Sequence, residues 1–413
     1  MSMRVGRIGP AVGLLKGGLL ALALAAASVA LAPAAAAEGP TVSKEVIDKY
    51  NPAKEAYGKH EYGPALKLAK EAQAAAKSAY EKQVTLSLVW AAAAGGQNWP
   101  EAIEAGEALV AMEGVPAATK LQTQKALATI YPRVNKIDKA IAITKDYMKV
   151  TGGTPADYAL LSNFYSAQKD CPNGMAALEK ALAGGKQADE EQLKAQSFCA
   201  NKDKNTAKRI AVNEELLKRF PKKEYYAQLL NIYETADPKT DALAVQELLR
   251  FGFERDYLTD GNDYVKLADA ALDAGTTAEA QRVLEKGMSK KAIPANDKKA
   301  AGFLEQAKTR AVEDKKSAEQ LDAEARAGKN GDTDVKIGYR YFSFGQYDKA
   351  VEAIQRGLQP DRSARLKRPD DANMVLGIAL LKLKKTAEAA KAFNAAKADP
   401  KMAGVARIWL TAT

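Results

Sequence analysis

One histidine, two cysteines and three tryptophans in 413 residues leave this chain little with which to do chemistry. Imidazole-based acid–base or metal sites are nearly excluded when His60 is the single imidazole. His60 stands beside Glu61-Tyr62-Gly63-Pro64 and reads as a surface or turn residue. No G-x-S-x-G, H-E-x-x-H or Walker A pattern occurs. Carboxylate pairs such as Glu190-Glu191 and Glu214-Glu215 read as solvated helix faces. The expectation is therefore no enzyme, no metal and no cofactor. Alternating runs of β-branched residues are missing, which argues against sheet. No dense basic stripe with interleaved aromatics appears, which argues against nucleic acid.

What is present begins with residues 1–37. Arg4, Arg7 and Lys16 precede an uncharged Leu/Ala-rich run from Gly17 to Leu31, and Ala35-Ala36-Ala37 precedes Glu38. That is the order of a Sec-type signal peptide, with cleavage near Ala37-Glu38. The run is shorter than the roughly 20 residues that span a bilayer as a helix, which disfavours an uncleaved anchor. Arg4 and Arg7 are separated, so there is no twin-arginine signal, and no Cys near the cleavage point marks a lipoprotein. No later run could cross a membrane. A periplasmic protein is expected. Losing three basic residues leaves 58 Lys+Arg against 51 Asp+Glu, a net +7 over 376 residues. So mild an excess, mixed in sign along the chain, leaves open an acidic partner or an anionic envelope surface.

A repeat organises the rest. Ile337-Gly338, Tyr341, Gly345, Tyr347, Ala350 and Ile354 stand at helix–turn–helix spacing. Leu376-Gly377, Leu380, Ala389, Phe393 and Ala396 repeat the pattern, and Pro400 ends it. A small residue at the same place can be followed back through Ala65, Ala102, Ala140, Gly174, Ala207, Ala242, Ala280 and Ala318, at a mean step of 36 residues. Supporting columns are Tyr131, Tyr165, Phe198 and Tyr233, and Leu127, Leu161, Leu229 and Leu267. Between them Gly95-Gly96, Gly152-Gly153, Gly184-Gly185, Asp237-Pro238, Asp260-Gly261-Asn262 and Asn330-Gly331 signal turns.

The pattern resembles the tetratricopeptide family, whose repeat of 34 residues it fits better than HEAT or armadillo repeats of roughly 40–47. The resemblance implies an all-α fold, an α-solenoid of stacked helix–turn–helix units in a right-handed superhelix. One helical pair cannot bury its apolar face alone, so neighbours must stack. The expected organisation is a signal peptide at 1–37, an N-terminal array at 38–295 and a long charged helical segment at 296–328. A C-terminal pair with a capping helix then fills 329–413.

First helices line the concave groove of such arrays, which commonly takes extended peptides. Counting Gly331 as the first position of its unit puts Tyr339 at the groove-facing ninth. The same register gives Thr129, Asn163, Gln196, Asn231 and Asp269 in five consecutive units. Side-chain amides offer both donor and acceptor, so a ladder of them can pair with an extended backbone. The other reading is polar residues on a wet surface. A clamp for a C-terminal carboxylate is doubtful, since Ala159 and Ala227 stand where the family carries Lys. Between the last two units, Arg362, Arg365, Lys367 and Arg368 form a basic loop that an acidic partner could contact.

Cys171 falls in the turn of one unit and Cys199 late in the first helix of the next, at one edge of a stacked solenoid. In an exported chain this favours a disulfide, against two separately buried thiols. The functional expectation is a periplasmic scaffold or adaptor that holds a protein or extended peptide in its groove. The alternative is an accessory subunit of an envelope assembly or secretion machine for polysaccharide or outer-membrane proteins.

Overall fold

A computed structural model describes residues 41–235, 242–364 and 366–413. The signal segment, the turn at Asp237-Pro238 and Arg365 lie outside the described residues. The chain is 78% helical, and no strand occurs among the described residues.

Two compact units divide at Val115–Pro116. The first holds α1 (Lys44–Gly58), α2 (Tyr62–Ala75), α3 (Ala79–Gly95) and α4 (Trp99–Ala111). The buried Glu81 carboxylate at the start of α3 accepts N–H groups from Ser43, Lys77 and Ser78 at 2.8–2.9 Å, tying the first three helices together.

In the second unit helices again follow as antiparallel pairs. They are α5 (Ala117–Ile130) with α6 (Ile137–Thr151), α7 (Pro155–Ala167) with α8 (Cys171–Ala181), and α9 (Glu190–Lys202) with α10 (Thr206–Arg219). Next come α11 (Lys223–Thr235) with α12 (Ala242–Glu254) and α13 (Gly261–Asp273) with α14 (Thr277–Ser289). A single 30-residue helix, α15 (Lys298–Ala327), precedes α16 (Gly331–Ser343) and α17 (Tyr347–Gly357). A short α18 (Pro360–Ser363), the pair α19 (Pro369–Lys382) and α20 (Thr386–Ala396), and a last helix α21 (Ala403–Leu410) complete it.

First and second helices start differently. Many first helices open on a side-chain cap: Ser78, Thr154 and Asp189 form reciprocal capping boxes, and Asp260 and Asn330 accept single bonds. Second helices follow a left-handed residue, which takes positive φ at His60, Gln97, Asn135, Lys169, Lys204, Gly275, Gly345 and Lys384. The next residue caps the second helix, and its carbonyl accepts the N–H four residues on. The acceptors and donors pair as Glu61–Ala65, Asn98–Ala102, Lys136–Ala140, Asp170–Gly174, Thr276–Ala280, Gln346–Ala350 and Lys385–Ala389. This fourth position is buried in each, because it faces the paired first helix. Where that approach is closest the partner is glycine. A Cβ on Gly338 would lie 3.1 Å from the Ala350 carbonyl, and one on Gly377 2.4 Å from the Phe393 ring. His60 is an exposed turn residue whose Nδ1 lies 2.9 Å from the Tyr62 hydroxyl.

That bond pattern corrects the small-residue column at three places. In α10 the cap is Asn205, and its carbonyl accepts from Arg209, so Arg209 holds the equivalent position while Ala207 is exposed. Ala242 is likewise exposed, and Ala244, two residues on, is buried. Ala318 is buried midway along α15 and begins no second helix.

Candidate functional site: an exposed row on the first helices

Turn geometry fixes which residues on the first helices are equivalent. Each cap N–H bonds the carbonyl five residues earlier: Tyr131, Tyr165, Ala200, Ala271 and Tyr341 in α5/α6, α7/α8, α9/α10, α13/α14 and α16/α17. Two residues before each lies the position expected to face the groove. It is Thr129, Asn163, Phe198, Asp269 and Tyr339. Asn231 joins them on burial, since residues 229–233 repeat the pattern of 127–131 and 161–165, one exposed residue between two buried pairs.

Gln196 is therefore displaced from the row by two residues. It is half-buried, and Phe198, 43% exposed, occupies its expected place. The cause is the slip seen at Arg209: aligning α10 on Ala207 carried α9 two residues out of register. Exposing a phenylalanine is the exception in this chain, since Tyr131, Tyr165 and Tyr233, its assumed column mates, are all buried.

Thr129, Asn163, Phe198 and Asn231 are all exposed. The Thr129 hydroxyl donates to the Ala126 carbonyl of its own helix at 2.8 Å. Among the described residues the amides of Asn163 and Asn231 bond no protein group. Further along, the row is covered. Asp269 is half-buried and 3.7 Å from Lys299 at the start of α15. Tyr339 is buried, contrary to its expected groove-facing role, and its hydroxyl donates to Asp371 of α19. Coverage arises because the later helices fold back. Trp409 of α21 lies 5.2 Å from Phe251 and 5.9 Å from Phe393, ring to ring, and its Nε1 donates to the Glu247 carbonyl at 3.0 Å. Arg407 forks the Glu214 carboxylate at 2.7 and 3.0 Å.

Beneath that closure is a buried ionic cluster. Arg250, 1% exposed, meets Glu279 at 2.6 and 3.1 Å and pairs also with Glu247. Burial pushes the Glu247 carboxyl up to about 7, and its Oε2 has no hydrogen-bond partner. Burial acts on Glu279 in the same sense, but Arg250 outweighs it and holds that carboxyl below its usual range. Asp371 is raised, again by burial. Glu247 and Arg250 stand three apart on α12, an ordinary spacing on a charged helix, while Glu279 and Asp371 reach them from 29 and 121 residues along the chain from Arg250, and nothing local marks that meeting.

The basic loop is largely occupied. Arg362 bonds the fully buried Asp334 at 2.8 Å and the Ala325 carbonyl at 3.2 Å, while Arg368 pairs with Asp370 at 2.6 Å. Lys367 is exposed, and its backbone N–H reaches Asp332 at 3.3 Å. Cys171, first residue of α8, is disulfide-bonded to Cys199 of α9, with Cα atoms 5.4 Å apart. The bond pins α9 one residue from Phe198. Among the described residues no cluster of three His, Cys, Asp or Glu is placed to hold a metal, and no helix is long and apolar enough to cross a membrane.

No family model and no curated protein matches the chain. Solved structures do. A tetratricopeptide repeat protein from Parabacteroides merdae is 11% identical with a TM-score of 0.37, over 64% of this chain and 99% of its own. The TPR2AB domain of yeast Sti1, in complex with pHSP90, is 14% identical with a TM-score of 0.33, over 64% of this chain and 97% of its own. Naa15/Naa10 bound to HypK-THB is 15% identical with a TM-score of 0.35, and the match spans 87% of this chain and 59% of that one. Likenesses this loose say nothing of shared function. Among the described residues the chain is all-helical, built of consecutive helix pairs.

Proposed function

We propose that the protein is a non-catalytic scaffold of the periplasm that binds an extended segment of a partner protein along Thr129, Asn163, Phe198 and Asn231. The observation that carries this reading is the exposed row itself: equivalent positions on α5, α7, α9 and α11, two of them unpartnered amides flanking an exposed phenylalanine. Amides at repeat spacing satisfy backbone N–H and C=O groups of an extended chain, and Phe198 supplies an apolar anchor of the kind that dominates interface energies. Export is supported by the charged start, short apolar run and small-residue site of residues 1–37, and a disulfide suits an oxidising compartment. Two tests address the two halves. Intact mass from an envelope fraction should give a mature chain starting at or near Glu38; a full-length precursor in the inner membrane overturns export. Partners captured from envelope extract should then be titrated against Phe198→Ala and Asn163→Ala/Asn231→Ala. Loss of about 2 kcal/mol of binding is expected for Phe198→Ala. Unchanged affinity in both folded variants removes the row as the binding face.

A further inference from the structure

On α7 the residues Tyr158, Leu161 and Tyr165 do not belong to the exposed row; they line a different feature. They form the floor of a groove of about 460 Å³ whose walls are α6 (Lys145, Met148, Lys149) and α8 (Asn173, Ala176, Ala177, Lys180). Ala176 and Ala177 leave room in the α8 wall, and α6 is followed by two left-handed glycines, Gly152 and Gly153. Its cations are poised in an unusual way. Lys145 stands 5.4 Å from the Tyr165 ring centre and Lys180 5.0 Å from that of Tyr158, on opposite walls. Neither makes an ion pair among the described residues. The carboxylates nearby are hydrogen-bonded elsewhere: Asp146 to Lys149 at 2.7 Å, Asp170 to Asn173 at 2.7 and 3.2 Å, and Asp157 to Tyr147 and Thr154, each at 2.7 Å; Asp170 also attracts Lys145 and Lys202 without an ion pair to either.

We propose that this groove is a second binding site, for a peptide segment in which an acidic side chain is followed by an apolar one. A carboxylate entering between the walls would meet two ammonium groups held in place by aromatic faces, with little further ordering required. Met148, Leu161 and the tyrosine rings would receive the neighbouring apolar side chain. An anionic sugar chain would use the same cations, but the buried Leu161 and the Met148 thioether match an aliphatic group better than a polyol. The site is separate from the row at Asn163, so its loss and the loss of row binding can be read independently.

The test is a titration of the mature full chain by fluorescence anisotropy with a blocked peptide of alternating Glu and Leu, its Gln/Leu counterpart, and polygalacturonate. The Glu peptide should bind and the Gln peptide should not. Lys145→Gln and Lys180→Gln should each weaken binding about tenfold. Ala176→Trp leaves the charge unchanged and fills the groove, and should weaken binding at least as much. Phe198→Ala should leave it unaltered. Thermal melts confirm that each variant is folded, and the exposed Lys145 and Lys180 changes remain decisive should Ala176→Trp not fold. The proposal is overturned by no binding of the Glu peptide, by affinity unchanged in folded Ala176→Trp, or by binding of polygalacturonate alone.

Discussion

Arg250 and Lys145 are both cations set against an aromatic ring, and their surroundings are opposite. Arg250 lies 5.6 Å from the Phe342 ring centre, 1% exposed, between two buried glutamates. Lys145 lies 5.4 Å from Tyr165 in the open, in no ion pair, with Asp170 its nearby carboxylate. The contrast holds for the regions that carry them. From α5 to α9 the pairs stack with little beyond neighbour contact, held at one edge by a disulfide, and keep an exposed row that continues onto α11, where α21 reaches α10 and α11. From α12 to α21 the same kind of helix folds back on itself, buries the equivalent row and encloses charge. A repeat that stacks in one dimension leaves faces for partners; a repeat that closes uses those faces for its own stability.

If that division is right, Arg250→Met should have the largest effect. Removing one partner of a buried ionic group strands the others, here Glu247 and Glu279, at a cost of about 3–5 kcal/mol. Lys145→Met in the open stack should change stability by no more than about 0.5 kcal/mol. Urea denaturation of both variants measures the difference, and equal small effects would show that the cluster is not what distinguishes the closed region.

Next comes the disulfide. Its residues are 28 apart, and chain entropy puts the cost of Cys171→Ala/Cys199→Ala at about 3.5 kcal/mol. Because the bond joins α8 to α9, the loss should concentrate in the open stack. Hydrogen exchange should rise over α8–α9 and stay unchanged in α12–α21; uniform loss of protection would mean that the two regions unfold as one.

The third test uses pH. Glu247 is raised from the ordinary carboxylate value of 4.5 to about 7. Folded protein therefore binds a proton that the unfolded chain has released across that window. Stability from this group is fully present below about 4.5 and declines as pH rises towards about 7. Facing it are Arg250, Glu279, Asp371 and Tyr339, so the titration belongs to the group. Glu247→Gln keeps an acceptor for Arg250 and should flatten the slope, gaining about 2–3 kcal/mol at pH 8 relative to pH 5. An unaltered slope in the melting profile would place the titration elsewhere.

Much of this was legible in the sequence where the repeat is regular. Gly338 and Gly377, with Ala350 and Ala389 after their turns, mark helices that approach closely, and nothing but a small residue fits there. The edge position of Cys171 and Cys199 was legible for the same reason. Register failed at one unit, because Arg209 stands where other units carry a small residue and Ala207 stands two places before it. A better signal was the turn itself: Lys169-Asp170 and Lys204-Asn205 are the same left-handed residue and cap, and aligning on them would have found Phe198. The closure of α21 onto α10 and α12 could not be read, since Arg407 and Glu214 are separated by 193 residues and nothing local announces their meeting.

The smallest effect is also the sharpest comparison, since it sets one register position against itself. Tyr339 and Asn163 stand at the same place in their repeats, one buried and one exposed. Tyr339→Phe removes only the hydroxyl, yet it leaves the buried Asp371 oxygen without its donor, at a cost of about 1–3 kcal/mol. Asn163→Ala removes more atoms, but they bond no protein group, and Ala is the better helix former. It should leave stability unchanged or raise it by about 0.5 kcal/mol. Asn231→Ala should behave as Asn163→Ala does. Chemical denaturation of the three variants decides the matter: destabilisation by Asn163→Ala comparable to that of Tyr339→Phe would mean that the row is structural in both regions, and the case for a partner along it would fall.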